Sequence, residues 1–396
     1  MSLGSLTDSH SIRSPDHVEY GAGAIDALEL FVGQHGVDSA LLVTDEFLAE
    51  SGVVDAPVAR LEAAGVDVAV YDGVAPEPKL SMVEAAAELV ADRDLVVGVG
   101  GGSSMDTAKL AAALAAHGGP VRDMLGMDNV PGETGPLALV PTTAGTGSEV
   151  THIGVFADER DGGGKKVVFS PFLFADLAAV DPDLTETMPP GVAAATGLDA
   201  LTHAIESYVS LLRTPYTDTL ARRAVELVAE NLRPAVAQGP ENDEARANMS
   251  LAATLAGQAF VNSGLGAVHA LTYPLGMACG LGHGLANGVL LPHVMRYNVP
   301  AEVDRFADLA DLLGEQRRPG ESDRAFADRS VEAVFDLLAD VDVPTSIAEY
   351  GDFDRETFAD FADVAFEHSE HNIDRNPRRM DREDVIGVFE AADEGR

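Results

Sequence analysis

The run Leu95-Val96-Val97-Gly98-Val99-Gly100-Gly101-Gly102-Ser103-Ser104-Met105-Asp106 decides how the first half of the chain folds. A short β-branched apolar stretch enters consecutive glycines, and helical spacing follows over residues 105–116. That order predicts a buried strand turning tightly into a helix. Glycines let a backbone approach a ligand closely, and a helix start offers free N–H groups with positive dipole character. The turn therefore suits a pyrophosphate, although it departs from the strict dinucleotide fingerprint. A plain strand–helix turn capped by Ser103 or Ser104 is the other reading of the same residues.

Outward from this turn, residues 40–44, 66–71 and 137–141 are further strand candidates, and 83–91 has helical spacing. Such alternation predicts a parallel sheet with helices on both faces. A second small-residue loop, Pro141-Thr142-Thr143-Ala144-Gly145-Thr146-Gly147-Ser148-Glu149, also follows a strand. Two loops of this kind at strand ends form the crevice where open α/β sheets bind ligands. Asp45 closes the strand 40–44. Its carboxylate can accept hydrogen bonds from an adenosine ribose and disfavour a 2′-phosphate, or it can cap a helix starting at Glu46 and Phe47.

The texture changes at Pro189 and Gly191. Helical spacing dominates over 192–211, 220–232, 245–260, 306–313 and 323–339, and strand candidates are scarce. The tail after Asp381 keeps that spacing through Val385, Val388 and Phe389, which predicts a final helix. The expected architecture is an α/β N-terminal dinucleotide-binding domain with a parallel sheet, residues 1–187. An all-α C-terminal metal- and substrate-binding domain, 188–396, follows it.

Composition narrows the function classes. The formal net charge of −39 on 396 residues, with Lys79, Lys109, Lys165 and Lys166 as the only lysines, argues against nucleic acid or anionic membrane as partner. The 46% hydrophobic content still permits a full core, so this is not the composition of a disordered chain. Acid spread along a foldable sequence suits concentrated salt, where charge is screened within roughly 3 Å at 1 M. A halophilic source is the expectation. No apolar run reaches the ~20 residues of a membrane span, and the polar start lacks the order of a secretory signal. A cytoplasmic location follows. The single cysteine, Cys279, rules out an intramolecular disulfide and a thiolate-cluster metal site, and reads as a small core residue.

Asp199 and His203 stand four apart inside the helical stretch 192–211, which puts both side chains on one face. His269 and His283 lie in a later glycine-rich segment that includes Gly264, Gly266, Gly276, Gly280, Gly282 and Gly284. One carboxylate with imidazoles and no thiolate suits a divalent ion such as Fe²⁺ or Zn²⁺. Four satisfied polar residues at helix ends would give the same spacing.

Longer motifs add a family. Met188-Pro189-Pro190 and the run Ala194-Ala195-Thr196-Gly197-Leu198-Asp199-Ala200-Leu201-Thr202-His203-Ala204-Ile205-Glu206-Ser207-Tyr208 resemble the metal-binding helix of the iron-containing (group III) alcohol dehydrogenases. Gly264 to His269 and Gly282-His283-Gly284-Leu285-Ala286-Asn287 resemble that family's other ligand segments, and Leu291-Pro292-His293-Val294-Met295-Arg296-Tyr297-Asn298 continues the match. The triple-glycine turn, the Thr142–Ser148 loop and Asn376-Pro377-Arg378 extend it over nearly the whole chain.

The resemblance implies metal ligands Asp199, His203, His269 and His283, through which catalysis would run. It implies cofactor contacts from Asp45, Gly101, Gly102, Ser103, Asp106, Thr142, Thr143, Thr146 and Lys165. NAD is the implied cofactor, with NADP as alternative; Fe²⁺ is the implied metal, with Zn²⁺ as alternative. The implied chemistry is hydride transfer between a small-molecule alcohol, or the matching aldehyde or ketone, and nicotinamide, the metal acting as Lewis acid on the oxygen. A site between the two domains is expected, with Phe260 as an apolar wall and His293 as structural support. A homo-oligomer, dimer or larger, is also expected.

Two positions depart from the family. Tyr273 stands where many members carry a histidine proposed to relay a proton. With a reference pKa of about 10, a tyrosine is a poor shuttle near neutrality, so the ribose or a water chain is expected to take over. Glu77 stands where the family usually has asparagine. A maleylacetate reductase, a polyol-phosphate dehydrogenase or a dehydroquinate synthase would share the architecture but call for cationic substrate contacts. A non-enzymatic nucleotide- or metal-binding protein would keep one site and lose the other.

Overall fold

A computed structural model of the chain describes residues 9–161 and 164–396, so the first residues of the polar start lie outside it. Two compact units form: one is Arg13–Met188, and the other is Pro189–Arg396 together with residues 9–12, which the expected 1–187 domain had included. In the first, the strands are β1 (His17–Tyr20), β2 (Ser39–Asp45), β3 (Asp67–Val74), β4 (Leu95–Gly100), β5 (Gly126–Met127), β6 (Leu137–Pro141), β7 (Ile153–Asp158), β8 (Gly164–Phe169) and β9 (Leu177–Val180). Its helices are α1 (Ala27–His35), α2 (Glu46–Ser51), α3 (Asp55–Ala63), α4 (Leu80–Val90) and α5 (Gly102–His117).

Six strands make one parallel sheet in the order β1-β9-β6-β4-β2-β3. The central strands β4, β6 and β9 are buried at every position, as a sheet covered on both faces requires. Along β2, Leu41 and Val43 face the core under α4 and α5, with Val83, Ala86 and Met105. Ala40 and Leu42 face the opposite core, with Leu28 and Phe31 of α1 and Leu61 of α3. Each fully buried leucine or valine here contributes roughly 1.5–3 kcal/mol of transfer free energy. Gly98 sets the closeness of packing: a Cβ there would lie 2.8 Å from Ala108 Cβ and 2.8 Å from Leu139 Cδ2.

The chain runs from β2 outward to β3, then returns past β2 to β4 and on to β6. The order therefore reverses between β2 and β4, the place where open α/β sheets bind ligands at their carboxyl ends.

The second unit contains only helices among the described residues: α6 (Pro190–Val209), α7 (Pro215–Gln238), α8 (Asp243–Ser263), α9 (Ala267–Cys279), α10 (His283–Asn298), α11 (Val303–Leu312), α12 (Asp323–Asp340), α13 (Arg355–Ile373) and α14 (Arg382–Glu394). The centre is α6, buried continuously from Gly197 to Val209 and packed on α7, α8 and α10. Its Pro190 opens the helix where a missing N–H costs nothing. Among the described residues, no single helix is long and apolar enough to cross a membrane.

Several elements differ from the sequence expectation. The edge strand β1 has mostly exposed positions, so burial periodicity gives no signal there. A second sheet, β5-β8-β7, includes the antiparallel pair β7/β8, which the all-parallel expectation lacked. The glycine-rich segment beyond 264, for which the spacing suggests no particular element, is largely two helices, α9 and α10, in keeping with the expected all-α domain. Glycine disfavours a helix by about 1 kcal/mol per residue, but close packing offsets that cost here. Cys279 ends α9 and is half-buried rather than a core residue.

Candidate metal centre and cofactor loops

Asp199 and His203 project from the same face of α6, as the spacing predicts, and both are buried. His269 sits in the first turn of α9, and His283 is the first residue of α10. What joins them is a glycine contact. A Cβ on Gly284 would lie 2.3 Å from the Ala195 carbonyl oxygen, and one on Gly288 2.8 Å from Leu198 Cδ1. Without side chains at these positions, α10 closes onto α6 far enough for His283 to reach Asp199.

The three imidazoles converge on one carboxylate oxygen. His203, His269 and His283 Nε2 lie 3.7, 3.9 and 3.9 Å from Asp199 Oδ1. For bonds of ~2.1 Å, tetrahedral ligands stand about 3.4 Å apart, so the Asp199, His203 and His269 atoms are close to that spacing, while His283 falls outside their group and would have to move further to join one ion. The donor set fits a divalent metal. Asp199, His203 and His269 form the tightest group, with ligand atoms all within 4.8 Å of one another. His283 is the accessible member, with its side chain 45% exposed against 4% for Asp199, so the centre opens on its side.

Burial alone would raise the Asp199 carboxyl. The imidazoles of His203, His283 and His269 and the Asn287 amide outweigh burial and hold it below the usual carboxylate range. Asn287 Nδ2 donates to Asp199 Oδ1 at 2.7 Å, and the Thr272 hydroxyl donates to Asn287 Oδ1 at 2.5 Å. Phe260, expected as an apolar wall, stacks on the His203 ring at 4.4 Å between centroids. His293 stays out of the ligand group: its Nε2 donates to the Thr345 carbonyl at 3.2 Å, and its ring meets Phe335 edge-on. The Tyr273 ring meets His368 edge-on at 5.5 Å.

In the first unit, most of the predicted cofactor residues gather at the ends of β2, β4 and β6, whereas Lys165 lies within β8. Gly101 is the cap residue of α5 with no side-chain cap, so neither serine takes the capping role. The N–H groups of the first turn thus face outward without a side-chain acceptor, as an anion site requires. Gly100 has φ +148°, and a Cβ there would strike Ser104 Oγ at 2.6 Å. The two loops face each other: a Cβ on Gly102 would lie 3.1 Å from Thr146 Cγ2, and one on Gly101 3.6 Å from Thr143. Thr142 is buried and its N–H donates to the Gly100 carbonyl at 3.0 Å, while the Thr143 hydroxyl is buried with no partner among the described residues.

Other predicted contacts are already engaged. Asp45 Oδ1 accepts from the Leu48 N–H at 2.9 Å and caps α2. Asp106 turns inward, accepting from the Ser148 hydroxyl at 2.6 Å and the Val155 N–H at 3.0 Å. Lys165 Nζ lies 3.5 Å from Glu77 Oε1, and Glu77 holds the left-handed φ of 55°. Asparagine tolerates that conformation better than glutamate does.

Three contributors escaped the sequence reading. Lys109 is fully buried, and its ammonium donates to Asp106, Ser148, Thr151 and the Ile153 carbonyl, tying α5 to the second loop. Burial pulls its pKa down, against the opposing pull of Asp106 and Glu149. A lysine three residues after an aspartate on an otherwise apolar helix was the available signal. Glu206 and Asn287 are the others, visible only as polar residues at helical spacing from Asp199 and His283.

Comparison with known proteins agrees with this geometry. Residues 15–182 match the iron-containing alcohol dehydrogenase family, and residues 193–392 match the Fe-containing alcohol dehydrogenase family, C-terminal. The chain belongs to the iron-containing alcohol dehydrogenase family, and it is an alcohol/aldehyde oxidoreductase. Long-chain-alcohol dehydrogenase 1 of Geobacillus thermodenitrificans is 41% identical over 378 residues, 94% of each chain. The crystal structure of a 1,3-propanediol oxidoreductase superposes with TM-score 0.93 at 36% identity, covering 97% of this chain and all of that one. The sulfoacetaldehyde reductase of Bifidobacterium kashiwanohense, solved in complex with NAD⁺, gives TM-score 0.87 at 29% identity, covering 98% and 99%. The family uses NAD and a metal. These relatives do not favour the maleylacetate reductase, phosphate-substrate or non-enzymatic alternatives.

Proposed function

We propose that the enzyme oxidises alcohols with NAD, and reduces the matching carbonyl compounds, at one divalent ion held by Asp199, His203, His269 and His283. Fe²⁺ is the first choice and Zn²⁺ the second. The observation that carries this reading is the convergence of three imidazole Nε2 atoms on Asp199 Oδ1 within 3.7 to 3.9 Å. An ion bound there supplies Lewis-acid stabilisation to charge developing on the substrate oxygen.

The chain's own residues do the rest. Phe260 covers His203 and keeps water from one side of the centre. Gly101, Gly102, Ser103, Thr142, Thr143 and Thr146 cradle the cofactor phosphates, with the uncapped start of α5 as anion site. Asp106 acts from beneath, holding the second loop through Ser148. Asp45 spends one oxygen on its cap and offers the other to the ribose, which favours NAD over NADP. Lys165 borders the same cofactor site. Tyr273 relays no proton in this scheme; the ribose or a water chain carries the proton away.

A salt-rich cytoplasm is the proposed milieu, given the net charge of −39, and a homo-oligomer the proposed assembly. Melting temperature that rises with salt, and a mass in solution above one chain, are the outcomes expected. The central test strips the protein with chelator, then restores Fe²⁺ or Zn²⁺ in high salt. Alcohols and aldehydes are screened with NAD and NADP by reduced-nicotinamide absorbance. Turnover that returns only with metal is expected; turnover of the stripped protein equal to the restored one would overturn the proposal.

A further inference from the structure

Three functional residues of α6 follow one stripe: Asp199, His203 and, at helical spacing beyond them, Glu206. Glu206 is buried and has no lysine or arginine among its recorded hydrogen-bond partners. Its Oε2 lies 2.7 Å from His269 Nδ1 and accepts from the Gly266 N–H at 3.0 Å, while Oε1 accepts from the Val268 N–H at 2.6 Å. Gly266 is small where it must be, since a Cβ there would lie 3.0 Å from Glu206 Oε1.

Both backbone partners are donors, and so is the imidazole once Nδ1 carries its hydrogen. Only a group that accepts everywhere satisfies all three, which a carboxylate does and an amide does not. We infer that Glu206 is a positioning residue for His269: it holds Nδ1–H and thereby aims the Nε2 lone pair at the centre beside Asp199. The inference rests on the metal centre proposed above and adds a residue to it. The geometry also separates two roles. As a partner of Gly266 and Val268, Glu206 caps the start of α9, which has no side-chain cap of its own. As a partner of His269, it tunes a ligand, and outer partners of this kind typically set metal affinity.

Metal binding distinguishes the two roles. Stripped wild type, Glu206→Gln and Glu206→Asp are titrated with Co²⁺ against a chromophoric chelator, and the visible bands of bound Co²⁺ are recorded. NAD binding and the melting temperature of the stripped proteins are measured alongside. Glu206→Gln is expected to bind Co²⁺ about 10- to 100-fold more weakly, with shifted bands and unchanged NAD affinity. Glu206→Asp, which keeps the charge but shortens the reach, should fall between Gln and wild type. If Glu206→Gln does not fold, the aspartate variant decides alone: weakened Co²⁺ binding with shifted bands supports the inference. Wild-type Co²⁺ affinity and bands in a folded variant, whatever its melting temperature, would reduce Glu206 to a helix cap and overturn it. Wild-type protein that takes up no Co²⁺ overturns the metal centre itself, a result separable from the first.

Discussion

At the proposed metal centre the chemistry sits on side chains, whereas at the glycine turn it sits on backbone. Asp199, His203, His269 and His283, the proposed ligands, gather from the three helices α6, α9 and α10. The cofactor loops work the other way. Gly100 to Gly102 contribute shape and free N–H groups, while Asp45 and Asp106 hold the loops as caps and braces. The first plan concentrates function in a few atoms. The second distributes it, and makes it depend on residues such as Lys109 that touch no ligand.

The comparison predicts unequal responses to substitution. Asp199→Ala should empty the centre and lower turnover about 1,000-fold or more, since several kcal/mol of charge stabilisation would be lost. NAD binding, measured by titration in the same variant, should persist. A metal-free variant with normal turnover would break the distinction at its strongest point.

Lys109→Met tests the distributed plan. It leaves the buried Asp106 carboxylate without its ammonium, a change expected to cost about 3 kcal/mol in denaturant unfolding. NAD should bind more weakly while metal content stays at the wild-type level. Unchanged NAD affinity would mean that the loops need no brace.

Acid should touch both units through desolvated histidines, His152 in the first and His293 in the second. Desolvation holds His293 at about 4, with the Thr345 hydrogen bond opposing and Arg296 assisting. Desolvation, then Arg13 and Lys109, hold His152 at about 4 as well, against Asp128. Both values lie below the unfolded pKa of 6.5, so the unfolded chain takes up these protons first. The stability is complete above pH 6.5 and is lost as pH falls toward 4, on the order of 3 kcal/mol for each histidine. His293→Gln should flatten that slope in unfolding measured against pH, and an unchanged slope would remove the histidine from the account.

Asp45→Asn carries the smallest expected effect. Asparagine caps as well as aspartate, so stability should hold, while the NAD-to-NADP preference falls by roughly 10-fold or less because salt screens a half-exposed charge. Asp45→Ala should also lose about 1 kcal/mol of capping. Equal preferences in all three proteins would leave Asp45 as a cap only.

Local chemistry made part of this protein legible from its residues. The apolar run entering three glycines fixed a strand–turn–helix, and the four-residue spacing of Asp199 and His203 fixed a shared helical face. Both follow from periodicities that neighbouring residues cannot override cheaply. Other features needed tertiary structure, because they depend on how closely separate elements approach. Gly284 against the Ala195 carbonyl brings His283 to Asp199, and Gly266 lets Glu206 reach His269. Whether Ser103 or Ser104 would cap α5, and which partners Lys109 would meet, depended on the packing of loops far apart in sequence. The edge strand β1 escaped for a related reason, since its mostly exposed residues leave no burial pattern, and the antiparallel pairing of β7 with β8 is decided by which strands meet rather than by either strand alone.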